Sequence, residues 1–382
     1  MIAHQSVSST SRGFPLSSLA IAGAWGYIGR KFLDAANQLQ LATSVYDVGP
    51  PPKDLDPRGV TRWESEQAFY HQKSDVFHLA LHPEHRKTGL NILLNRSHGE
   101  PIWVLCEKPM AVPESPDDCG RLVEAIEQSK AIVLYDFPEL FDPITHKILD
   151  FFACHDDVRI DMLAMQRSKD RENPDIPRNQ KKMVHIQYQE SVHCLAFALY
   201  LLACLQDGLA PVFSRGLHVS AQSEPYHPPN PSAYPHVVDG KCEYRIAIGD
   251  TQLNGRTDFT RGAPWSKRRT ISGTADGRQF TIEADFLEGE KWLVIDGEPQ
   301  QDVVGSNSYV EVLKTLGRWR QNVPRPEIMT GLYPNPKFAQ ITYQLSSLLW
   351  RSSWEQAELQ IASLHDLLAF DAGFAQAVSC EL

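Results

Sequence analysis

Three glycines near the start of the sequence have the spacing of a phosphate-binding turn. Gly23, Gly26 and Gly29 follow an apolar run and precede a segment with helical character. A glycine turn between a strand and a helix lets the backbone approach a pyrophosphate at the helix N-terminus. The turn therefore predicts a dinucleotide site, with a purely structural turn as the alternative. The other residues of this turn that are predicted to contact the cofactor are Trp25, Tyr27 and Ile28.

A carboxylate follows the second predicted strand. Asp47 lies 18 residues after Gly29, just before a Gly-Pro-Pro-Pro breaker. A carboxylate in this position accepts hydrogen bonds from the ribose hydroxyls of NAD and repels the 2′-phosphate of NADP. The nearest basic residue that follows is Lys53. NAD is therefore predicted as the cofactor and NADP is disfavoured, with a surface Asp that starts a turn as the alternative.

A charged pair follows another apolar run. Glu107, Lys108 and Pro109 stand at the carboxyl end of a predicted strand, which is where doubly wound sheets bind their ligands. A lysine there could hydrogen-bond a substrate hydroxyl and stabilise the negative charge that develops as hydride leaves. The pattern predicts that both charged residues lie at the cofactor and that Lys108 is catalytic. A salt-bridged pair without further function is the alternative.

A histidine stands near the start of a long apolar helix. Regular helical spacing places Gln189 and Glu190 on the same face as His193. A histidine beside a carboxylate can exchange a proton near neutral pH, so His193 and Glu190 are candidate catalytic residues and Gln189 is a candidate substrate contact. A hydrogen-bonded core histidine is the alternative. Lys182, just upstream, is predicted to face an anionic substrate, with a solvated loop as its alternative.

The elements that must position these residues alternate at first between strand and helix. Strands are predicted over 19–22, 42–46, 75–81, 102–105 and 131–135, with helices between them. Apolar strands that alternate with helices predict a parallel sheet covered on both faces. Later strands follow one another and predict a mostly antiparallel sheet; they are expected over 158–165, 212–221, 242–248, 251–259, 270–272, 279–284 and 292–295.

The predicted fold class is α/β plus α+β. An N-terminal Rossmann domain with a doubly wound parallel sheet covers 17–140, after a flexible tail over 1–16. The segment 141–382 is predicted as an open, mostly antiparallel sheet with helices on one face. Its long helices are expected over 188–205, 309–321, 337–350 and 356–377, and the Pro-rich stretch 225–235 is expected to be a loop.

The bulk composition argues against several classes of protein. A net charge of −10 disfavours nucleic acid as a partner, and no apolar run approaches the ~20 residues of a membrane helix. The apolar segment 16–24 could pass for a signal peptide, but the glycine turn follows at once, which favours a strand. Seven cysteines without a C-x-x-C pair favour a reducing compartment, hence the cytoplasm, and no metal site is expected.

The glycine turn 23–29, the Glu107-Lys108-Pro109 motif and the helix that carries His193 together resemble the Gfo/Idh/MocA family of glucose–fructose oxidoreductases and inositol dehydrogenases. The resemblance implies that Lys108 holds the reacting hydroxyl near the nicotinamide and that His193 is the acid/base. The loop 81–85 resembles a family loop near the cofactor, which adds His82 to the predicted cofactor contacts. The family usually has Asp four residues before the histidine and often another three residues after it. Here those positions are Gln189 and Ala196, and Glu190 is the substitute carboxylate.

The resemblance also implies an activity and an assembly. The expected function is an NAD-dependent oxidoreductase that transfers hydride between the nicotinamide and a sugar, cyclic polyol or related hydroxy or carbonyl compound. The second domain would bind the substrate and assemble a homo-dimer or homo-tetramer. Two alternatives stay open: a sugar-modifying enzyme that retains its NAD through redox-assisted elimination or hydrolysis, and a catalytically silent dinucleotide-binding protein.

Overall fold

The computed structural model describes residues 16–53 and 59–374, so almost all of the predicted tail 1–16 lies outside the described residues. The elements in chain order are β1 Ser18–Ala22, α1 Tyr27–Gln38, β2 Ala42–Tyr46, β3 Val60–Arg62, α2 Glu66–His71, β4 Val76–Leu79, α3 Pro83–Arg96, β5 Trp103–Glu107, α4 Asp117–Gln128, β6 Ile132–Asp136, α5 Pro143–Ala153, β7 Val158–Ser168, α6 Val192–Leu205, α7 Leu209–Val212, β8 Leu217–Pro225, β9 Asp239–Ile248, β10 Thr251–Asp258, β11 Arg268–Ala275, β12 Arg278–Asp285, β13 Trp292–Ile295, β14 Glu298–Pro299, α8 Ser308–Asn322, α9 Arg325–Thr330, α10 Pro336–Glu355, β15 Leu359–Ile361 and α11 Leu364–Leu368.

The chain forms two compact units. The first comprises residues up to 111, then 117–142 and 307–339, and the second comprises 112–116, 143–306 and 340 onward. The predicted boundary near residue 140 falls close to the one between Asp142 and Pro143. The segment 307–339, however, returns to the first unit, which the predicted division did not include.

The first unit is built on a six-stranded parallel sheet in the order β3-β2-β1-β4-β5-β6. Strands β4, β5 and β6 are buried at every residue, as expected for strands with helices on both faces. Helix α1 buries Phe32, whose ring lies 5.3 Å from that of Tyr309 on α8. The predicted doubly wound Rossmann sheet is confirmed, and all of its strands end at one edge.

The second unit is built on a nine-stranded sheet in the order β14-β13-β12-β11-β7-β10-β9-β8-β15. Its pairs are antiparallel except β7 with β10, so the mostly antiparallel sheet is confirmed. Helix α6 packs against β7 and is buried along most of its length. The segment Gln187–Leu205 is long and apolar enough to cross a membrane, but 78% of it is buried within the protein, as expected of a core helix.

Two element predictions in the second unit are wrong. The predicted strand 212–221 begins only at Leu217, because Val212 ends the short helix α7 and a turn over 213–215 follows it. The predicted helix 356–377 is replaced by β15, which pairs with β8, and by the short α11. The last residues of that predicted helix, 375–377, lie outside the described residues. Pairing with a distant strand overrides local helical character in this segment.

Candidate functional site

Two glycines are required by the turn itself. Gly23 has φ +78°, and a Cβ atom there would lie 2.6 Å from the carbonyl oxygen of Ala80. A Cβ atom on Gly29 would lie 2.3 Å from the carbonyl oxygen of Gly23, so a side chain there would push α1 away from the turn. These are the tight-turn and close-packing roles of the first and last glycines in a dinucleotide-binding turn.

The middle glycine leaves room for a ligand. Gly26 is the N-cap of α1, and no side chain among the described residues caps that helix. Its φ of −67° is open to any residue, and the nearest atom to an added Cβ is the carbonyl oxygen of Gly23, 3.2 Å away. This contact would be tight, so the absent side chain serves the turn and also leaves the N-terminus of α1 open to another molecule. The predicted cofactor residues Trp25, Tyr27 and Ile28 are half-buried around it.

Asp47 ties the glycine turn to the loop after β2. Its Oδ2 accepts from the backbone N–H of Trp25 at 3.0 Å, and its Oδ1 accepts from that of Gly49 at 3.3 Å. The indole N–H of Trp25 in turn donates to the carbonyl of Gly49 at 3.1 Å. The carboxylate thus stands beside the predicted pyrophosphate site, where a ribose would reach it.

Arg62 is a cation that the sequence analysis missed. Strand β3 pairs Arg62 with Val45, and the guanidinium donates to the carbonyl oxygen of Gly49 at 3.4 Å. It therefore stands across the same loop from Asp47. A three-residue strand is too short to show a periodic pattern, so no signal in the sequence placed this arginine near the turn.

Glu107 ends β5, and Lys108 follows it, at the same sheet edge as the glycine turn. Lys108 is half-buried and precedes a cis-proline. Arg86, 1% exposed, donates to the carbonyl oxygen of Glu107 and, at 2.6 Å each, to those of Pro109 and Met110. One buried side chain thus holds the backbone on both sides of the lysine. The sequence analysis did not identify Arg86, because its surroundings on α3 look like a solvated helix.

A buried polar cluster lies beneath Lys108. His78 Nε2 lies 3.0 Å from Glu107 Oε1, and Asp136 faces Glu107 across the β5–β6 pair. Burial, and then the charge of Glu107, raise the pKa of Asp136 well above its usual value, which favours its protonated form. Donor atoms of these three residues lie within 4.8 Å of one another. A proton held by Asp136 lowers the negative charge of this cluster.

His82 stands at the N-cap of α3, in the loop after β4. The backbone of that loop joins β1, since the Ala80 N–H donates to the carbonyl of Ala22 at 2.9 Å. The His82 Nδ1 atom lies 3.5 Å from Glu84 Oε2, and the side chain is 37% exposed. The predicted cofactor residues from the glycine turn to Lys108 therefore all lie at one edge of the first unit's sheet.

The other predicted site residues lie in the second unit. His193 is 7% exposed in the first turn of α6. Residues Gln187–Ser191 form a π-turn, so the regular α-helical spacing that aligned Gln189 and Glu190 with His193 does not extend through them. Glu190 is buried and forms ion pairs with two cations, and Gln189 is half-buried. Lys182 is exposed.

No protein-family model and no curated protein matches the sequence. Solved structures do match over nearly the whole chain. A myo-inositol dehydrogenase from Corynebacterium glutamicum has a TM-score of 0.63 at 14% identity, over 90% of this chain and 98% of its own. The WlbA dehydrogenase from Chromobacterium violaceum, in complex with NADH and UDP-GlcNAcA, has a TM-score of 0.61 at 14% identity. The match covers 94% of this chain and 99% of the WlbA chain.

A super-repressor mutant of Gal80p from Saccharomyces cerevisiae has a TM-score of 0.69 at 12% identity, over 92% of this chain and 99% of its own. Dehydrogenases and a transcriptional regulator thus share this architecture. The resemblance to the Gfo/Idh/MocA family is confirmed at the level of the fold, and the chain has the fold of the inositol and sugar dehydrogenases of that type.

Proposed function

We propose that the protein is an NAD-dependent oxidoreductase that transfers hydride between the nicotinamide and a sugar, cyclic polyol or related hydroxy or carbonyl compound. The observation that carries this proposal is the shared sheet edge of the glycine turn and Lys108. The N-terminus of α1 at Gly26 has no side-chain cap among the described residues and would accept a pyrophosphate, and Arg86 holds the backbone around the lysine. A bound nicotinamide would supply the hydride acceptor or donor.

Two side chains of this chain would act on the substrate. Lys108 would donate a hydrogen bond to the reacting oxygen and stabilise its negative charge. His193 would take the hydroxyl proton in oxidation and return it in reduction. Glu190 would act on the substrate only indirectly, since its carboxylate is engaged by two cations. This assignment replaces the predicted direct relay through Glu190.

The proposed cofactor is NAD. The carboxylate of Asp47 would accept from the ribose hydroxyls, and its charge would oppose a 2′-phosphate. Arg62, on the other side of the Gly49 carbonyl, is the group that would favour NADP. The structure of WlbA with NADH supports a nicotinamide dinucleotide in this fold. We rank NAD first because Asp47 stands directly beside the glycine turn.

Steady-state assays test the proposal. Purified protein is incubated with NAD or NADH and a panel of sugars, inositols and their keto derivatives, and absorbance follows the reduced cofactor. We expect turnover with at least one member and a loss of about 100-fold or more in kcat for Lys108→Met and for His193→Asn. The matched control is Lys130→Met, an exposed lysine in the same unit. Turnover that survives both substitutions would contradict the assignment.

A second candidate function is a dinucleotide-binding regulator without turnover. It is supported by the shared fold with Gal80p and by Gln189 and Ala196, which replace the two family carboxylates. It predicts NADH binding without turnover on any substrate. Turnover that depends on Lys108 would exclude it.

We also propose a homo-dimer or homo-tetramer formed through the second unit's sheet. One face of that sheet carries a groove of about 1350 Å³, lined by residues that include Met165, Tyr244 and Arg256. Met162 on β7 is 38% exposed. Light scattering of the purified protein tests this assembly, and a monomer at micromolar concentration would contradict it.

A further inference from the structure

Basic side chains accumulate in one segment of the second unit. They stand at the end of β7 and in the loop that leads to the π-turn before α6. The described residues that form this basic cluster are Arg167, Lys169, Arg171 and Arg178. The cluster surrounds Glu190, which lies three residues before His193.

Glu190 neutralises part of this charge. Its carboxylate is 5% exposed and forms ion pairs with Arg167 and with Lys169, whose Nζ lies 3.3 Å from Oε1. Lys169 also stands over the ring of Phe259, 4.5 Å from its centroid. One carboxylate is thus shared between two basic side chains, so its single negative charge cannot fully neutralise both.

Arg171 has weaker partners. It is 6% exposed, and its guanidinium donates to the carbonyl oxygen of Lys181 at 3.3 Å. Among residues 16–53 and 59–374 no carboxylate forms an ion pair with it, and its buried Nε has no hydrogen-bond partner. Glu190 acts on this guanidinium only from a distance, and a buried guanidinium that no carboxylate contacts directly is costly.

Neighbouring acids do not supply the missing charge. Asp170 accepts from the backbone N–H groups of Asn173 and Gly262, at 2.9 Å each. Asp258 is engaged by Arg256 at 2.8 Å and by the hydroxyl of Thr260. Burial lowers the pKa of Lys169 well below its usual value; the charge of Glu190 opposes this shift, and the surrounding arginines add to it. Burial thus disfavours the charged form of Lys169, and Arg171 is the member of the cluster that no carboxylate of the described residues contacts directly.

We infer that this basic cluster is a subsite for an anionic group of the substrate, a carboxylate or a phosphate, held by Arg171 and Lys169. Planar guanidinium groups bind carboxylate and phosphate oxygens in pairs, and a bound anion would favour the charged form of Lys169 against the effect of burial. The π-turn beside the cluster is a distortion that often marks functional sites. The inference rests on the proposed function and names its substrate class: an acidic or phosphorylated sugar or polyol rather than a neutral one.

Matched acidic and neutral sugars test this subsite on the wild-type protein. Isothermal titration calorimetry, with and without NADH, compares D-glucuronate and glucose 6-phosphate with D-glucose, and inorganic phosphate is the minimal probe. We expect at least one of the two anionic sugars to bind about tenfold or more tighter than glucose, with a preference that shrinks as NaCl is added. Whether the carboxylate or the phosphate is preferred identifies the anion. Equal binding of acidic and neutral sugars, or no binding of either acid or of phosphate, would overturn the inference.

Substitutions test whether Arg171 and Lys169 cause the preference for anionic sugars. Arg171→Met and Lys169→Met should each lower the affinity for the anionic sugar by about 10-fold to 100-fold and leave the affinity for glucose unchanged. Arg171→Lys should retain part of the preference for the anionic sugar. Arg159→Met is the matched control, since this exposed arginine stands at the other end of β7. If Arg171→Met does not fold, Lys169→Met gives the same test. An undiminished preference in the folded variants would contradict the subsite.

The failure of this inference and that of the proposed function are distinguishable. Equal turnover of neutral and acidic substrates would keep the oxidoreductase and remove the anionic subsite. Absence of turnover together with tight, salt-sensitive binding of an anionic sugar would keep the subsite and remove the oxidoreductase.

Discussion

Arg86 donates a hydrogen bond to the carbonyl oxygen of Glu107 from a fully buried position on α3. Its other terminal nitrogen donates to the carbonyls of Pro109 and Met110 at 2.6 Å each. The segment that carries Lys108 is thus held by a residue on a different element. Any role of the lysine at a cofactor depends on this arrangement, because the end of a strand does not by itself fix the path of the backbone beyond it.

Removal of the Arg86 hydrogen bonds should lower the stability of the folded protein. Arg86→Met leaves three buried carbonyl groups without their donor, so we expect the free energy of unfolding to fall by about 3 kcal/mol. Urea denaturation followed by circular dichroism measures the change. Lys87→Met is the control, because this neighbour on α3 is 67% exposed. An unchanged denaturation midpoint in Arg86→Met would show that the hydrogen bonds of Arg86 do not stabilise the segment around Lys108.

The protonation of Asp136 should make stability depend on pH in a predictable direction. Burial, and then the charge of Glu107, raise its pKa in the folded protein well above the usual value of 3.8. At pH values between the pKa of Asp136 in the unfolded state and its raised pKa in the folded state, the folded state holds a proton that the unfolded state has lost. The free energy of unfolding of the wild type therefore falls as pH rises through this window. Asp136→Asn cannot lose a proton, and its stability relative to the wild type should therefore grow from about pH 4 upward.

Denaturant unfolding at several pH values measures this difference. Asp34→Asn is the matched control, because Asp34 is an exposed acid in the same unit. A stability difference between Asp136→Asn and the wild type that stays constant across about pH 4 to about pH 8 would contradict the protonation of Asp136 in the folded protein.

Asp47 should control the choice between the two nicotinamide dinucleotides. Asp47→Asn keeps one acceptor oxygen for the N–H groups of Trp25 and Gly49 but removes the charge that opposes a 2′-phosphate. We expect the affinity for NADPH relative to NADH to rise by about tenfold. In the double variant with Arg62→Met this gain should be lost, because the nearby cation is gone. Fluorescence titration gives both affinities, and an unchanged ratio in Asp47→Asn would exclude the assigned role.

Much of the first unit's edge could be predicted from local sequence. The glycine turn, Asp47 and Glu107-Lys108 each follow an apolar run, and parallel strands bring their carboxyl ends to one edge. Arg86 could not be found this way, since it stands in a polar stretch of α3 and only the tertiary fold buries it. His78 could not be predicted as a site residue either, because it stands within an apolar strand and therefore resembles a core residue.

The rest depended on contacts between distant parts of the chain. Helix α8 packs on α1 in the first unit, although the two are separated in sequence by almost the whole second unit. The π-turn before α6 changed the expected neighbours of His193, and a regular helical period cannot anticipate it. Arg167, Lys169 and Arg171 are close together in the sequence, but only the fold brings this segment to Glu190, so the sequence did not show that the basic residues surround a buried carboxylate.

Titration with NADH tests the central claim most directly. The chain has 8 tryptophans, and Trp25 stands within the glycine turn, so binding should quench the intrinsic fluorescence. We predict saturable binding of NADH by the wild type and an affinity at least about tenfold weaker for Gly26→Ala, whose new methyl group would occupy the space left for the pyrophosphate. The control Gly120→Ala, where an added Cβ meets nothing within 4 Å, should bind like the wild type. Absence of binding of both NADH and NADPH to the wild type would show that the glycine turn is structural and would contradict the proposed oxidoreductase.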